Sequence, residues 1–165
     1  MRRTLASLVV IAAIAGAITP AVEAQAPIDI SELADYQLTA EVFERFVLAT
    51  RRVEAFARDD AALIYAPLFT RDVALSGDVV AAASSLVARL ENHPGLAAAL
   101  EASNITPREY AKFAITLVAA HFAHGFVKAG VMRGVPPGAP SVNVEFVKTH
   151  ESDVNATVAS LGILK

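Results

Sequence analysis

The chain contains no cysteine and no tryptophan among its 165 residues. Without cysteine it forms no disulfide, offers no thiolate nucleophile and has no attachment site for covalent haem. It also lacks a Gly-x-Ser-x-Gly elbow, a Gly-rich phosphate loop and a His-Glu-x-x-His motif, which are sequence signatures of common enzyme classes. The sequence therefore favours a non-catalytic protein and leaves the question of an enzyme open.

Charge is scarce as well. Charged residues make up 19% of the chain, the formal net charge is -3, and the basic residues are scattered rather than gathered in a stripe with aromatics. This pattern gives no indication of a nucleic-acid partner. Hydrophobic residues make up 55% of the chain, which is typical of a packed protein and not of a disordered one.

The N-terminus has the three parts of a secretory signal peptide. Arg2 and Arg3 precede an apolar run from Leu5 to Ile18, and Val22-Glu23-Ala24 then offers small residues at both recognition positions of a cleavage site. This arrangement predicts a signal peptide over residues 1–24 and an exported protein, periplasmic or extracellular. The run is shorter than the about 20 residues of a transmembrane helix, so no stable membrane span is expected after cleavage. An uncleaved anchor is the alternative.

Hydrophobic periodicity predicts an all-α protein: a polar lead-in over 25–38, then a single-domain bundle of four to five helices over 39–165. The lead-in either forms a short helical turn or lies extended. Thr39 is the expected N-cap of the first bundle helix. The apolar face of that helix comprises Val42, Phe43, Phe46, Ala49, Thr50, Val53 and Ala57.

Local signals divide the middle of the chain into further helices. Pro67 is expected to end or kink a helical segment, and a second apolar stripe follows. That stripe comprises Val79, Ala83, Leu86, Val87 and Leu90. Pro94 is placed near the first turn of the next helix, and Asn104 is expected to end it in the left-handed conformation.

The strongest helix prediction begins at Pro107. Thr106 and Glu109 have the spacing of a capping box, and residues 113–127 carry no charge. Nearly all of the surface of this helix is apolar, which predicts a central helix packed by its neighbours. The exception is a polar strip of Arg108, Lys112, Thr116 and Ala123. A Pro/Gly linker over 133–141 and a last helix over 142–161 follow, with Ser141 or Asn143 as its cap.

Three of the four histidines fall on apolar helix faces. His121 and His124 lie about 60° apart around one helix, on the side away from the polar strip, and are predicted to point toward protein. His150 falls on the apolar face of the last helix. A transition-metal site of His121, His124 and His150 is one hypothesis, and non-covalent haem held by His121, His124 or Tyr110 is another. In the third, each imidazole is a core residue that pairs with a backbone carbonyl or with the Tyr110 or Thr116 hydroxyl.

A di-iron carboxylate bundle does not fit this pattern. Such a site requires a glutamate three residues before each metal-binding histidine. Before His121 and His124, those positions hold Val118 and His121 itself. The expectation is therefore no cofactor, with a transition metal or haem as the alternative.

Two stretches, HPGLAAALEASNITPREYAKFAITLVAAHFAHGF over 93–126 and PSVNVEFVKTHESDV over 140–154, resemble a pattern found in exported bacterial helical proteins that have no assigned activity. The positions that carry the resemblance are Leu96, Thr106, Arg108, Glu109, Tyr110, Asn143, Phe146 and Val147. It implies an exported all-helical protein and transfers no residue role. Two functions stay open: a module that binds a protein partner or a small apolar ligand in a groove between helices, and a metal or haem binder.

Overall fold

A computed structural model of the protein describes residues 28–59, 79–135 and 140–161. Within these ranges every regular element is a helix, so the predicted all-α class is confirmed. The helices are α1 (Ile30–Ala34), α2 (Ala40–Asp59), α3 (Val79–Asn92), α4 (Pro94–Glu101), α5 (Pro107–Lys128), α6 (Ser141–Thr149) and α7 (Glu151–Ser160). These seven helices exceed the four to five predicted, because the lead-in contains a helix and the last helix is broken in two.

Some of the sequence predictions lie outside the described residues. These are the signal peptide over 1–24, the helix break at Pro67 and the part of the Pro/Gly linker over 136–139.

Helix α5 is the centre of the packing, because it contacts every other described helix. Its buried side chains include Tyr110, Phe113 and Leu117, none of which is exposed to solvent. An apolar surface on nearly all sides matches this position, since each side of the helix meets a neighbour. The predicted central helix is therefore confirmed.

The sequence predicts that the polar strip of α5 lies opposite a buried side that carries the histidines. In the structure the polar strip is covered as well. Thr116 and Ala123 are buried, and Glu32 of α1 pairs with both Arg108 and Lys112. The long-range pairing of α1 with α5 has no local signature in the sequence. Short-range periodicity therefore identified the strip without showing what covers it.

Local capping signals fix several helix boundaries as predicted. Thr39 Oγ1 accepts from Val42 N at 3.3 Å, and Thr106 Oγ1 accepts from Glu109 N at 3.1 Å. Pro94 opens α4, and Asn104 has a φ of 54°. The Glu109 carboxylate accepts from the Tyr36 hydroxyl at 2.5 Å, so it ties the lead-in to α5 where a reciprocal capping bond was predicted.

The predicted last helix is interrupted at His150, whose φ of -111° and ψ of 29° leave the helical region. Helix α6 therefore ends at Thr149, and α7 begins at Glu151. Asn143 does not cap α6 as one alternative held, because it lies inside that helix and its side chain is completely buried. Ser141 is the first helical residue, with Pro140 at the N-cap.

Aromatic side chains join α2 to α5 in the core. Phe113 packs against Phe46, with ring centroids 4.9 Å apart, and against Phe43 at 6.1 Å. Tyr110 and Thr50 share a buried hydrogen bond of 3.1 Å. Burial raises the pKa of Tyr110 to about 12, although the bond to Thr50 acts in the opposite direction.

Candidate functional site

His121 and His124 lie on the C-terminal half of α5, near the start of α7. A charged partner is Glu151, the first residue of α7. Its Oε1 atom lies 3.8 Å from His124 Nε2 and also pairs with the Lys128 ammonium group. The structure therefore brings two imidazoles, one carboxylate and one ammonium group together where α5 meets α7.

In this cluster the His121 imidazole is harder to protonate than it would be in water. Burial and the neighbouring His124 lower the pKa of His121, and Glu151 partly opposes them. The bond from Lys128 lowers the pKa of the Glu151 carboxyl group. A cation at the end of α5 and an anion at the start of α7 also match the dipoles of the two helices.

The predicted core pairing of these histidines is not what the structure shows. His121 Nδ1 and His124 Nε2 are buried atoms with no hydrogen-bond partner among the described residues. Tyr110, one proposed partner, pairs with Thr50. Both imidazoles are also partly exposed rather than enclosed.

His150 lies in a different environment. Its ring packs against Phe146, with centroids 4.6 Å apart, and against Phe43 at 6.2 Å. Within the described ranges, no three histidine, aspartate or glutamate side chains come together in a way that could hold a metal ion. His121, His124 and His150 therefore do not form a common set of metal ligands in this structure. The metal and haem hypotheses stay predictions.

A second candidate site is a groove whose walls come from α1, α5 and the N-terminal ends of α3 and α6. Its volume is about 430 Å³. The residues that line this apolar groove are Ile30, Leu33, Ala34, Val79, Ile115, Thr116, Ala119, Ala120, Pro140 and Asn143. Ile30 and Val79 are 69% and 40% exposed, so large aliphatic side chains face water beside the groove.

The polar side chain of Asn143 is already used by the fold. Its Oδ1 accepts from Leu38 N at 2.9 Å, and its Nδ2 donates to the Tyr36 backbone oxygen at 2.8 Å. None of the lining residues is ionisable. The apolar groove therefore favours aliphatic surface and has no charged group with which to orient a ligand.

Sequence reasoning missed this groove. The sequence predicts a polar lead-in, although Ile30 and Leu33 have the i, i+3 spacing of one helix face. That spacing is the signal that could have identified a packed α1. The other walls come from residues distant in sequence, such as Ile115 and Pro140, and no local pattern brings those together.

None of the described helices has the length and apolar character needed to cross a bilayer. No family profile matches the chain, and no curated protein or solved structure shows significant similarity to it.

Proposed function

We propose that this protein is an exported, non-catalytic binding protein that holds a small apolar ligand in the apolar groove. The observation that supports this function is a groove of about 430 Å³ without an ionisable lining residue. Ligand pockets in proteins commonly measure about 300 to 1,000 Å³ and are mostly apolar. A groove of this volume suits a small molecule. A protein partner would need a much more extended surface, about 800 Å² on each side.

The lining supports an aliphatic ligand in particular. Its large side chains are Ile30, Leu33, Val79 and Ile115, and no aromatic ring is among the lining residues. Binding would gain free energy mainly by removing apolar surface from water, at about 25 cal/mol per Å² before the entropy of association is subtracted. Thr116 has the only hydroxyl group among the lining residues.

Binding is tested with a fluorescent apolar probe, N-phenyl-1-naphthylamine, whose emission rises when it leaves water. The variant Ala119→Phe adds a ring at an exposed position of the groove wall. The matched control is Ala88→Phe, because Ala88 is an exposed alanine within α3 that does not line the groove. We expect saturable binding by the wild type and by Ala88→Phe, and at least roughly tenfold weaker binding by Ala119→Phe, as expected when a ring excludes part of the ligand.

Equal binding by all three proteins would place the probe elsewhere and contradict the proposal. So would the absence of saturable binding by the wild type. Circular dichroism of the variants separates loss of the groove from loss of the fold.

The export step has its own measurement. Cleavage after Ala24 predicts a mature protein that begins at Gln25, and N-terminal sequencing of the protein from the producing cell reads this directly. A protein that still begins at Met1 would contradict cleavage. The binding experiment does not depend on this result.

A further inference from the structure

Four large apolar side chains lie exposed where α5 ends and the chain turns away. Phe126, Val131, Met132 and Val135, here called the apolar tip, are 47%, 71%, 36% and 39% exposed. Single exposed apolar residues are common on protein surfaces. Four exposed apolar side chains within ten residues of chain, at one helix end, form the kind of surface that marks an interaction site.

The backbone holds part of this tip together. The Phe126 carbonyl oxygen accepts from Val131 N at 3.0 Å and from Met132 N at 3.3 Å. Gly130 has a φ of 70°, a conformation that glycine adopts without strain and that turns the chain back over the last turn of α5. The backbones of Phe126, Val131 and Met132 are therefore joined in one closed turn.

Basic residues accompany the tip, and acidic residues are absent from its sequence. Lys128 and Arg133 are exposed, and residues 125–135 contain no aspartate or glutamate. Glu151 pairs with Lys128, whereas Arg133 makes no ion pair with a described residue. The surface thus combines aliphatic and aromatic groups with positive charge.

We propose that the apolar tip is a membrane-contacting surface that binds anionic phospholipid bilayers. In this contact Phe126, Val131 and Met132 enter the boundary between headgroups and acyl chains, while Arg133 binds lipid phosphates. Positive charge beside apolar side chains is the combination that anionic lipid surfaces attract. A second copy of the chain fits less well, because a turn at one helix end offers far less than the about 800 Å² per partner of a stable dimer.

The contact is weak and reversible, since it rests on a few apolar side chains and one basic group that pairs with no described residue. It is separate from the apolar groove, because none of the four tip residues lines that groove. Failure of ligand binding at the groove would leave it unaffected.

The test is co-sedimentation of the full protein with vesicles of phosphatidylcholine alone or of equal parts phosphatidylcholine and phosphatidylglycerol. We expect binding to the anionic vesicles on the order of fivefold stronger than to the neutral ones, as the single basic group of Arg133 near an anionic surface implies. Val131→Asp and Arg133→Glu should each abolish most of this binding. Their matched controls, Leu48→Asp and Arg51→Glu, alter exposed residues of α2 and should bind as the wild type does.

Three results would overturn the proposal. These are no sedimentation with either vesicle, equal loss in the control variants, and a dimer seen by light scattering that Val131→Asp dissociates while vesicles do not bind. The last would assign the tip to a second copy of the chain. Unchanged circular dichroism of Val131→Asp and Arg133→Glu shows that these variants are folded.

Discussion

Individual buried polar groups decide how the lead-in joins the bundle. Asn143 is the clearest case, because its amide is completely buried and satisfies two backbone groups of residues more than 100 positions earlier in the chain. A buried backbone group that loses its partner costs about 1 to 3 kcal/mol. One side chain therefore fixes the segment between α1 and α2 against α6.

Asn143→Ala should lower the free energy of unfolding by about 2 to 4 kcal/mol, because both the Leu38 amide and the Tyr36 carbonyl lose their partner. Urea denaturation followed by circular dichroism measures the change. Asn155→Ala is the matched control, since Asn155 is exposed on α7, and its effect should stay within about 0.5 kcal/mol. Equal stability of the two variants would show that Asn143 does not tie the lead-in down.

His121 gives the stability a dependence on pH. Its folded-state pKa lies below the ordinary value of 6.5, so the unfolded chain takes up a proton more readily than the folded protein. The stability that this neutral imidazole contributes is present above pH 6.5 and is lost as the pH falls toward the folded-state pKa. Glu151, whose pKa is lowered from 4.5, acts in a more acidic range.

His121→Gln should therefore lose less stability than the wild type between about pH 7 and about pH 5, the range in which a histidine titrates. The measurement is the difference in urea midpoint between those two pH values for each protein. The dependence of the unfolding free energy on urea should be the same in both, which shows that both proteins expose the same amount of surface on unfolding. An equal loss of stability in the variant would mean that another group titrates in this range.

At the scale of helices, the sequence predicted the features that neighbouring residues determine. The N-caps at Thr39 and Thr106, the start of α4 at Pro94 and the left-handed Asn104 all depend on residues within one turn. The break at His150 was not predicted, because no proline or glycine occurs there and the helical pattern continues across it. On either side of the break, α6 and α7 each contact α5. These contacts are long-range, so a local sequence pattern does not show them.

The Thr106 cap offers a direct test of this local control. Thr106→Ala removes the acceptor for Glu109 N and should destabilise the protein by about 1 kcal/mol, the usual effect of losing a capping hydroxyl. Thr106→Ser keeps the acceptor and should restore most of the loss. Thermal unfolding of the three proteins measures both effects, and a serine variant as unstable as the alanine variant would argue against capping as the cause.

Considered as a whole, the molecule places α5, the longest described helix, where all the other described helices meet. The shared face of His121 and His124 was predictable, since helical geometry alone sets it. Their partner Glu151 and the separate position of His150 were not, because each depends on how α6 and α7 pack. The apolar groove likewise combines Ile30, Ile115 and Pro140, which only the complete fold brings together.

A fold centred on α5 should unfold as one unit when that centre is damaged. Phe113 is fully buried and touches the rings of Tyr36, Phe43 and Phe46, so Phe113→Ala should lower the unfolding free energy by about 3 to 5 kcal/mol. Phe126→Ala is the matched control on the same helix: its ring is 47% exposed, so the loss should be clearly smaller, on the order of 1 to 2 kcal/mol. Circular dichroism and tyrosine fluorescence should give coincident urea transitions in both variants. Separate transitions in Phe113→Ala would instead show that parts of the bundle are stable without contact to α5.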